Sequence, residues 1–129
     1  MRAPASLADV VAVAALDTLN APAYYSSFGP KIEIAAPAEI ATTTTLPNVS
    51  ACPSIGAGTI GPCNGTSIAA PHVAAAAAIL KAYNSTWTNV FIRDRLNCAA
   101  QYLGDPIYYG NGLLRINSAL DGVCEIDPY

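Results

Sequence analysis

Apolar and polar positions along the chain fall into three kinds of run. "VVAVAAL" (Val10 to Leu16) is a short run of β-branched residues and alanine between Asp9 and Asp17, which predicts a buried strand. "KIEIAA" (Lys31 to Ala36) predicts a second strand, and "IATTTTL" (Ile40 to Leu46), rich in β-branched threonine, a third extended piece. From Pro47 to Asn64 the residues are largely Gly, Pro, Ser and Asn, and the pattern predicts loop. Alanine then takes over, and the composition predicts a helix from about Thr66 to Tyr83. Its stretch "AAPHVAAAAAIL" has no polar face of any width, so this helix is expected to be buried on all sides. Thr88 can cap a further helix in "NVFIRDRLNCAAQYL", where Val90, Leu96 and Ala100 recur at near-helical spacing beside Arg93 and Asp94. "GDPIYYGNG" reads as a turn-rich loop, and "LLRINSALD" as a short strand followed by a final helical turn. Strands early and helices late predict an α/β layer structure with an unfinished sheet.

Composition narrows the partners. The 129 residues make one domain, 53% hydrophobic and only 12% charged, which leaves few charges to cover a surface. No apolar run approaches the roughly 20 residues that span a bilayer, so no membrane association is expected. The acids flanking "VVAVAAL" also argue against a secretory signal. Net charge is −3 and the six basic residues are scattered, so nucleic acid is not an expected partner. Four cysteines permit three pairings, and with one histidine and no C-x-x-C pair they do not suggest zinc. Sequence proximity favours disulfides Cys52–Cys63 and Cys98–Cys124, and with them an oxidising, extracellular compartment. Four reduced, buried thiols are the alternative.

The chemistry gathers at "CNGTSIAAPHVA" (Cys63 to Ala74), which places Ser67 at the mouth of the alanine-rich helix. Free backbone N–H groups and the helix dipole would stabilise a developing oxyanion there, which suits acyl transfer. The plainer reading makes Thr66 or Ser67 the helix N-cap. His72 lies five residues on and is the only histidine. Along one helix that spacing is about 7.5 Å of rise and about 140° of rotation, whereas side chains meet at three- and four-residue spacing. A base must come within about 3 Å of the hydroxyl it deprotonates, so His72 is expected to be a hydrogen-bonded core residue. No base for Ser67 then remains in the chain.

"NGTSIAAPHVA" (Asn64 to Ala74) resembles the serine motif of the subtilisin-like serine proteases, the subtilases of peptidase S8 type. "APASLADVVAVAALD", "SSFGPKIEIAAP" and "YYGNGLLRINSAL" resemble further segments of that family in the same order. The resemblance makes residues 1–129 the C-terminal portion of a subtilase catalytic domain. It implies a subtilisin-like three-layer α/β fold with a parallel sheet, here incomplete. It also implies a serine-type endopeptidase working through an acyl-enzyme, with polypeptide as the substrate of the full-length parent. Ser67 would be the nucleophile, and its backbone N–H half of the oxyanion hole. Asn64, Gly65 and Thr66 would lie on the substrate-binding approach, and Pro71 and His72 at structural positions of the motif. The catalytic Asp and His belong to family segments that this chain does not match, so the chain alone is expected to be inactive. The alternative is a non-catalytic truncated module that binds a partner or self-associates through an open strand edge.

The family requires no cofactor for the reaction, but some members bind calcium. Glu33 matches a position where they carry an aspartate that can join a calcium ion with backbone carbonyls near Ala8 and Val10, hard oxygen ligands of the kind calcium takes. A solvated strand-end acid is the plain alternative for Glu33. Alanine also stands at family glycine positions, namely Ala14, Ala38 and Ala75. The Ala75 methyl is expected to crowd the place where the family's histidine-bearing helix packs.

Overall fold

The computed structural model describes residues 3–43 and 60–124. Its elements run β1 (Val13–Leu16), β2 (Ile34–Pro37), β3 (Ile40–Thr43), β4 (Ile60–Cys63), α1 (Thr66–Tyr83), α2 (Asn89–Cys98), α3 (Pro106–Tyr109) and α4 (Ile116–Asp121). Strands β1 and β2 pair in parallel with Val13 opposite Ile34, and Leu113 extends this sheet through a parallel bridge to Ala35. β3 and β4 form a separate antiparallel pair. Incomplete α/β architecture with a parallel sheet is thus what the chain adopts.

Both faces of the β1–β2 pair are covered, which accounts for its unbroken apolar runs. Ala15, Ile34 and Ala36 face α1, α2 and α4, together with Ala69, Val73, Leu80, Leu96 and Ala119. Ala14, Leu16 and Ala35 face the other way, onto Ile32, Leu103, Tyr109 and Leu113. Leu16, Ile34 and Leu80 are the largest fully buried side chains.

Several boundaries depart from the sequence pattern. β2 starts at Ile34 and not Lys31, because the chain is still turning there, with Ile32 N–H donating to the Gly29 carbonyl at 3.0 Å. Part of the expected loop before Asn64 is strand β4, which the pairing with β3 makes extended despite its Gly and Pro. The rest of that loop, and the end of "IATTTTL", lie outside the described residues. Within "GDPIYYGNG" the Asp105 side chain accepts from Ile107 N–H at 2.9 Å and caps the single helical turn of α3. The expected Thr88 cap is present, its hydroxyl accepting from Phe91 N–H at 3.2 Å.

The largest departure concerns α1. Its buried residues, Ala69, Val73, Ala76 and Leu80, recur at helical spacing and form one stripe. Ala70, Ala74, Ala75, Ala78 and Ile79 are exposed, so the helix is not buried on all sides. An all-apolar surface permits burial all round, but only the neighbours present can provide it, and here they line one side.

Two devices fasten α2 to its surroundings. Arg95 donates from Nε to the Ala119 carbonyl at 2.8 Å and from Nη2 to Leu120 at 3.2 Å, closing the end of α4. Its guanidinium lies 5.1 Å from the Trp87 ring centre, within cation–π range. The Cys98–Cys124 disulfide ties the same region together as expected. Cys63 is buried and disulfide-bonded, while Cys52, its expected partner, lies outside the described residues.

Candidate active site

β4 ends at Cys63, and Asn64 and Gly65 carry the chain from the β3–β4 ladder into α1. Gly65 has φ +136, a conformation an L side chain rarely adopts, so glycine is needed for this entry. Gly65, not Thr66 or Ser67, is the N-cap residue, and no side chain caps the helix. The plain alternative reading of Ser67 as a capping serine therefore fails. Asn64, Gly65 and Thr66 are half-buried, whereas Ser67 is exposed. Among the described residues its hydroxyl has no hydrogen-bond partner.

The electrostatics of this end suit negative charge. α1 is 18 residues long and has no acidic residue in its first turn, so no side chain of that turn offsets the positive end of its dipole. Ile68 N–H is tied back to the Gly65 carbonyl at 2.8 Å, and the Ser67 N–H, in the first turn, has no intrahelical partner. Pro71 stands inside α1 and has no N–H to give, so the Ser67 carbonyl four residues earlier lacks its usual helical partner.

His72 is half-buried, and its Nδ1 lies 2.8 Å from the Ile68 carbonyl one turn back. That contact requires the proton on Nδ1, donated to the carbonyl. The ring is thus engaged with its own helix, as the five-residue spacing led one to expect, and does not serve Ser67.

Sequence reasoning missed one residue at this end. Tyr25 packs against the core beside the loop, and its hydroxyl is buried without a hydrogen-bond partner among the described residues. Burial pushes its phenol pKa up, and the Gly65 backbone nearby acts in the opposite sense. The two residues are forty positions apart, and no local pattern connects them.

Glu33 is neither solvated nor open. Its Oε1 accepts from Arg93 Nε at 2.6 Å and from Asn97 Nδ2 at 2.7 Å, while Oε2 pairs with Arg93 Nη2 at 2.5 Å. Arg93 Nη1 also donates to the Ala8 carbonyl at 3.0 Å. Burial alone would raise the Glu33 pKa. The hydrogen bonds from Arg93 and Asn97, with the Arg93 charge, outweigh it and hold the carboxyl below its ordinary value. Ala14 and Ala38 are fully buried and accommodated by the packing, and Ala75 is exposed on the open side of α1.

Ser67 is thus an exposed serine in the first turn of a glycine-entered helix that packs on a parallel strand pair. The sequence matches the Subtilase family over residues 1–112. It is 41% identical over 116 residues to subtilisin NAT of Bacillus subtilis subsp. natto, covering 90% of this chain and 28% of that protein. The subtilisin of Bacillus pumilus is equally similar, with 38% of its length covered. Among solved structures, a protease of Pseudoalteromonas arctica superposes with a TM-score of 0.76 at 26% identity, over 94% of this chain and 38% of that one. MycP1 from Mycobacterium smegmatis gives 0.75 at 26% identity, over 97% and 33%. The chain belongs to the subtilase family. It spans well under half the length of the relatives it matches.

Proposed function

We propose that this chain is the nucleophile-bearing C-terminal part of a secreted subtilisin-like endopeptidase. Ser67 attacks the scissile carbonyl of a polypeptide and forms the acyl-enzyme, and its backbone N–H gives one of the hydrogen bonds to the oxyanion. Asn64, Gly65 and Thr66 line the approach of the substrate. The observation that carries this reading is the uncapped, glycine-entered N-terminus of α1, with the Ser67 hydroxyl exposed and unclaimed. A serine needs a base within about 3 Å, and the chain's single histidine is bonded to Ile68. Asp and His are supplied by sequence outside these residues, and the chain by itself turns over no peptide. Loss of triad members costs about 10⁴–10⁶ in kcat, which puts the isolated chain at background.

The test joins this chain to the Asp- and His-bearing part of a subtilisin relative and follows hydrolysis of a fluorogenic peptide. Turnover in the joined protein that disappears with Ser67→Ala, and none in the 129-residue chain, is expected. A folded joined protein with no Ser67-dependent turnover rejects the assignment.

A second reading, a non-catalytic module that binds a partner or a second copy, is favoured by one observation. A groove of about 700 Å³ runs between the start of β1 and helices α1 and α2, lined by Val11, Val13, Val73, Ala77 and Leu96. Ala12 and Leu16 turn their carbonyls toward β2, so Val11 and Val13 direct their backbone groups to the open edge beside it. Light scattering tests the self-association: a dilute monomer with a cooperative unfolding transition counts heavily against the second reading.

A further inference from the structure

The Glu33 carboxylate and the Ala8 carbonyl, two of the ligands a calcium ion would use near β2, are already bonded to the Arg93 side chain. Calcium takes six to eight oxygens at about 2.3–2.6 Å, with carboxylates supplying most of the charge. Glu33 is the one carboxylate lining the small cleft at this place, about 240 Å³ between residues 5–10 and the start of β2. Both of its oxygens are taken by Arg93 and Asn97. Of the carbonyls on the facing segment, Ala8 accepts from Arg93 Nη1 and Leu7 from Val10 N–H at 3.2 Å. The Glu33 carbonyl accepts from Asn111, both from its N–H and from its Nδ2, each at 2.8 Å. Lys31 also lines the cleft and forms no ion pair among the described residues. A divalent ion would therefore meet two cations and one carboxylate that is already paired.

We propose that the Arg93 guanidinium stands in the place of a metal ion, so that this region of the chain is held together without calcium. Its planar fork meets both oxygens of Glu33 and its remaining arm reaches Ala8, joining α2, β2 and residues 3–10 at one point. A guanidinium keeps its charge at any physiological pH and does not dissociate, so the clamp is indifferent to chelators. The inference holds whether or not the chain completes a working protease.

The experiment is thermal unfolding of the 129-residue chain, followed by far-ultraviolet circular dichroism in excess EDTA and in calcium chloride. Calcium is used at about 10 mM, roughly tenfold above the weakest dissociation constants of extracellular calcium modules. The unfolding midpoint of the natural chain is expected to be the same in both solutions. Arg93→Met lowers it in both. The double variant Lys31→Glu with Arg93→Met removes both cations and adds a second carboxylate, and its midpoint is expected to rise with calcium. A natural chain whose midpoint rises with calcium overturns the proposal. So does an Arg93→Met variant as stable as the natural chain, or a double variant that does not respond. Isothermal titration of the natural chain with calcium chloride gives a readout independent of unfolding, and saturable binding near 1 mM or tighter also overturns it.

Discussion

The two sides of α1 make a natural comparison, since one composition covers both. On one side Ala69, Val73, Ala76 and Leu80 are sealed against the sheet and against α2 and α4, with the Arg95 caps and the Cys98–Cys124 disulfide close by. On the other, Ala70, Ala74, Ala78 and Ile79 are exposed, and the groove beside them reaches Val11 and Val13 at the start of β1. The closed side has its apolar groups covered. The open side has apolar surface, and Ser67 stands at the end of the same helix with no hydrogen-bond partner for its hydroxyl among the described residues. A packed scaffold and the proposed nucleophile thus share one helix. The buried packing lies on the closed side, and under the proposed function the chemistry depends on what covers the open one.

That contrast can be broken from either side. The largest effect is expected from Leu80→Ala, which deletes a fully buried side chain in the sealed stripe and should cost about 2–5 kcal/mol in denaturant unfolding. Converting Cys98 and Cys124 to Ser removes the tie between α2 and the C-terminal segment and should cost about 2–4 kcal/mol by the same measurement. Arg93→Met leaves Glu33 largely covered and without its cation. Because Arg93 is itself a third exposed, the loss should be about 1–3 kcal/mol, below that of a fully buried pair.

A pH dependence follows from the same pair. The folded-state pKa of Glu33 is depressed, so its contribution is fully present above the ordinary value of 4.5 and is lost as pH falls through the folded-state value. Acid unfolding curves of the natural chain should therefore fall more steeply below about pH 4.5 than those of Glu33→Gln. The smallest effect on stability is expected on the open side. Ile79→Asn should change unfolding free energy by no more than about 0.5 kcal/mol, while reducing any self-association seen by light scattering.

Features legible in the sequence were those that local chemistry decides. The helix Thr66–Tyr83 and the Thr88 cap are written in consecutive residues, and the five-residue spacing alone sets His72 apart from Ser67. The serine motif was legible for the same reason, being a contiguous run. Long-range pairing was not. β4 is extended only because β3 lies beside it, Glu33 meets Arg93 across sixty positions, and Tyr25 reaches the Gly65 loop across forty. The burial of α1 shows the limit most clearly: periodicity reports what a face can tolerate, and the neighbours determine what it meets. The capping alternative for Ser67 failed for a related reason. The φ of Gly65 moves the start of the helix one residue ahead of the hydroxyl-bearing residues.

The central claim is that Ser67 is a nucleophile held in place by this chain and activated from outside it. Intact-mass spectrometry after treatment with a fluorophosphonate, followed by peptide mapping, tests it most directly. The reagent forms a covalent adduct with a serine only when a base deprotonates the hydroxyl. The account requires no adduct on the isolated chain, and a single adduct mapping to Ser67 once the chain is joined to the Asp- and His-bearing part of a relative. An adduct at Ser67 in the isolated chain, or none at Ser67 in a folded joined protein, would contradict it.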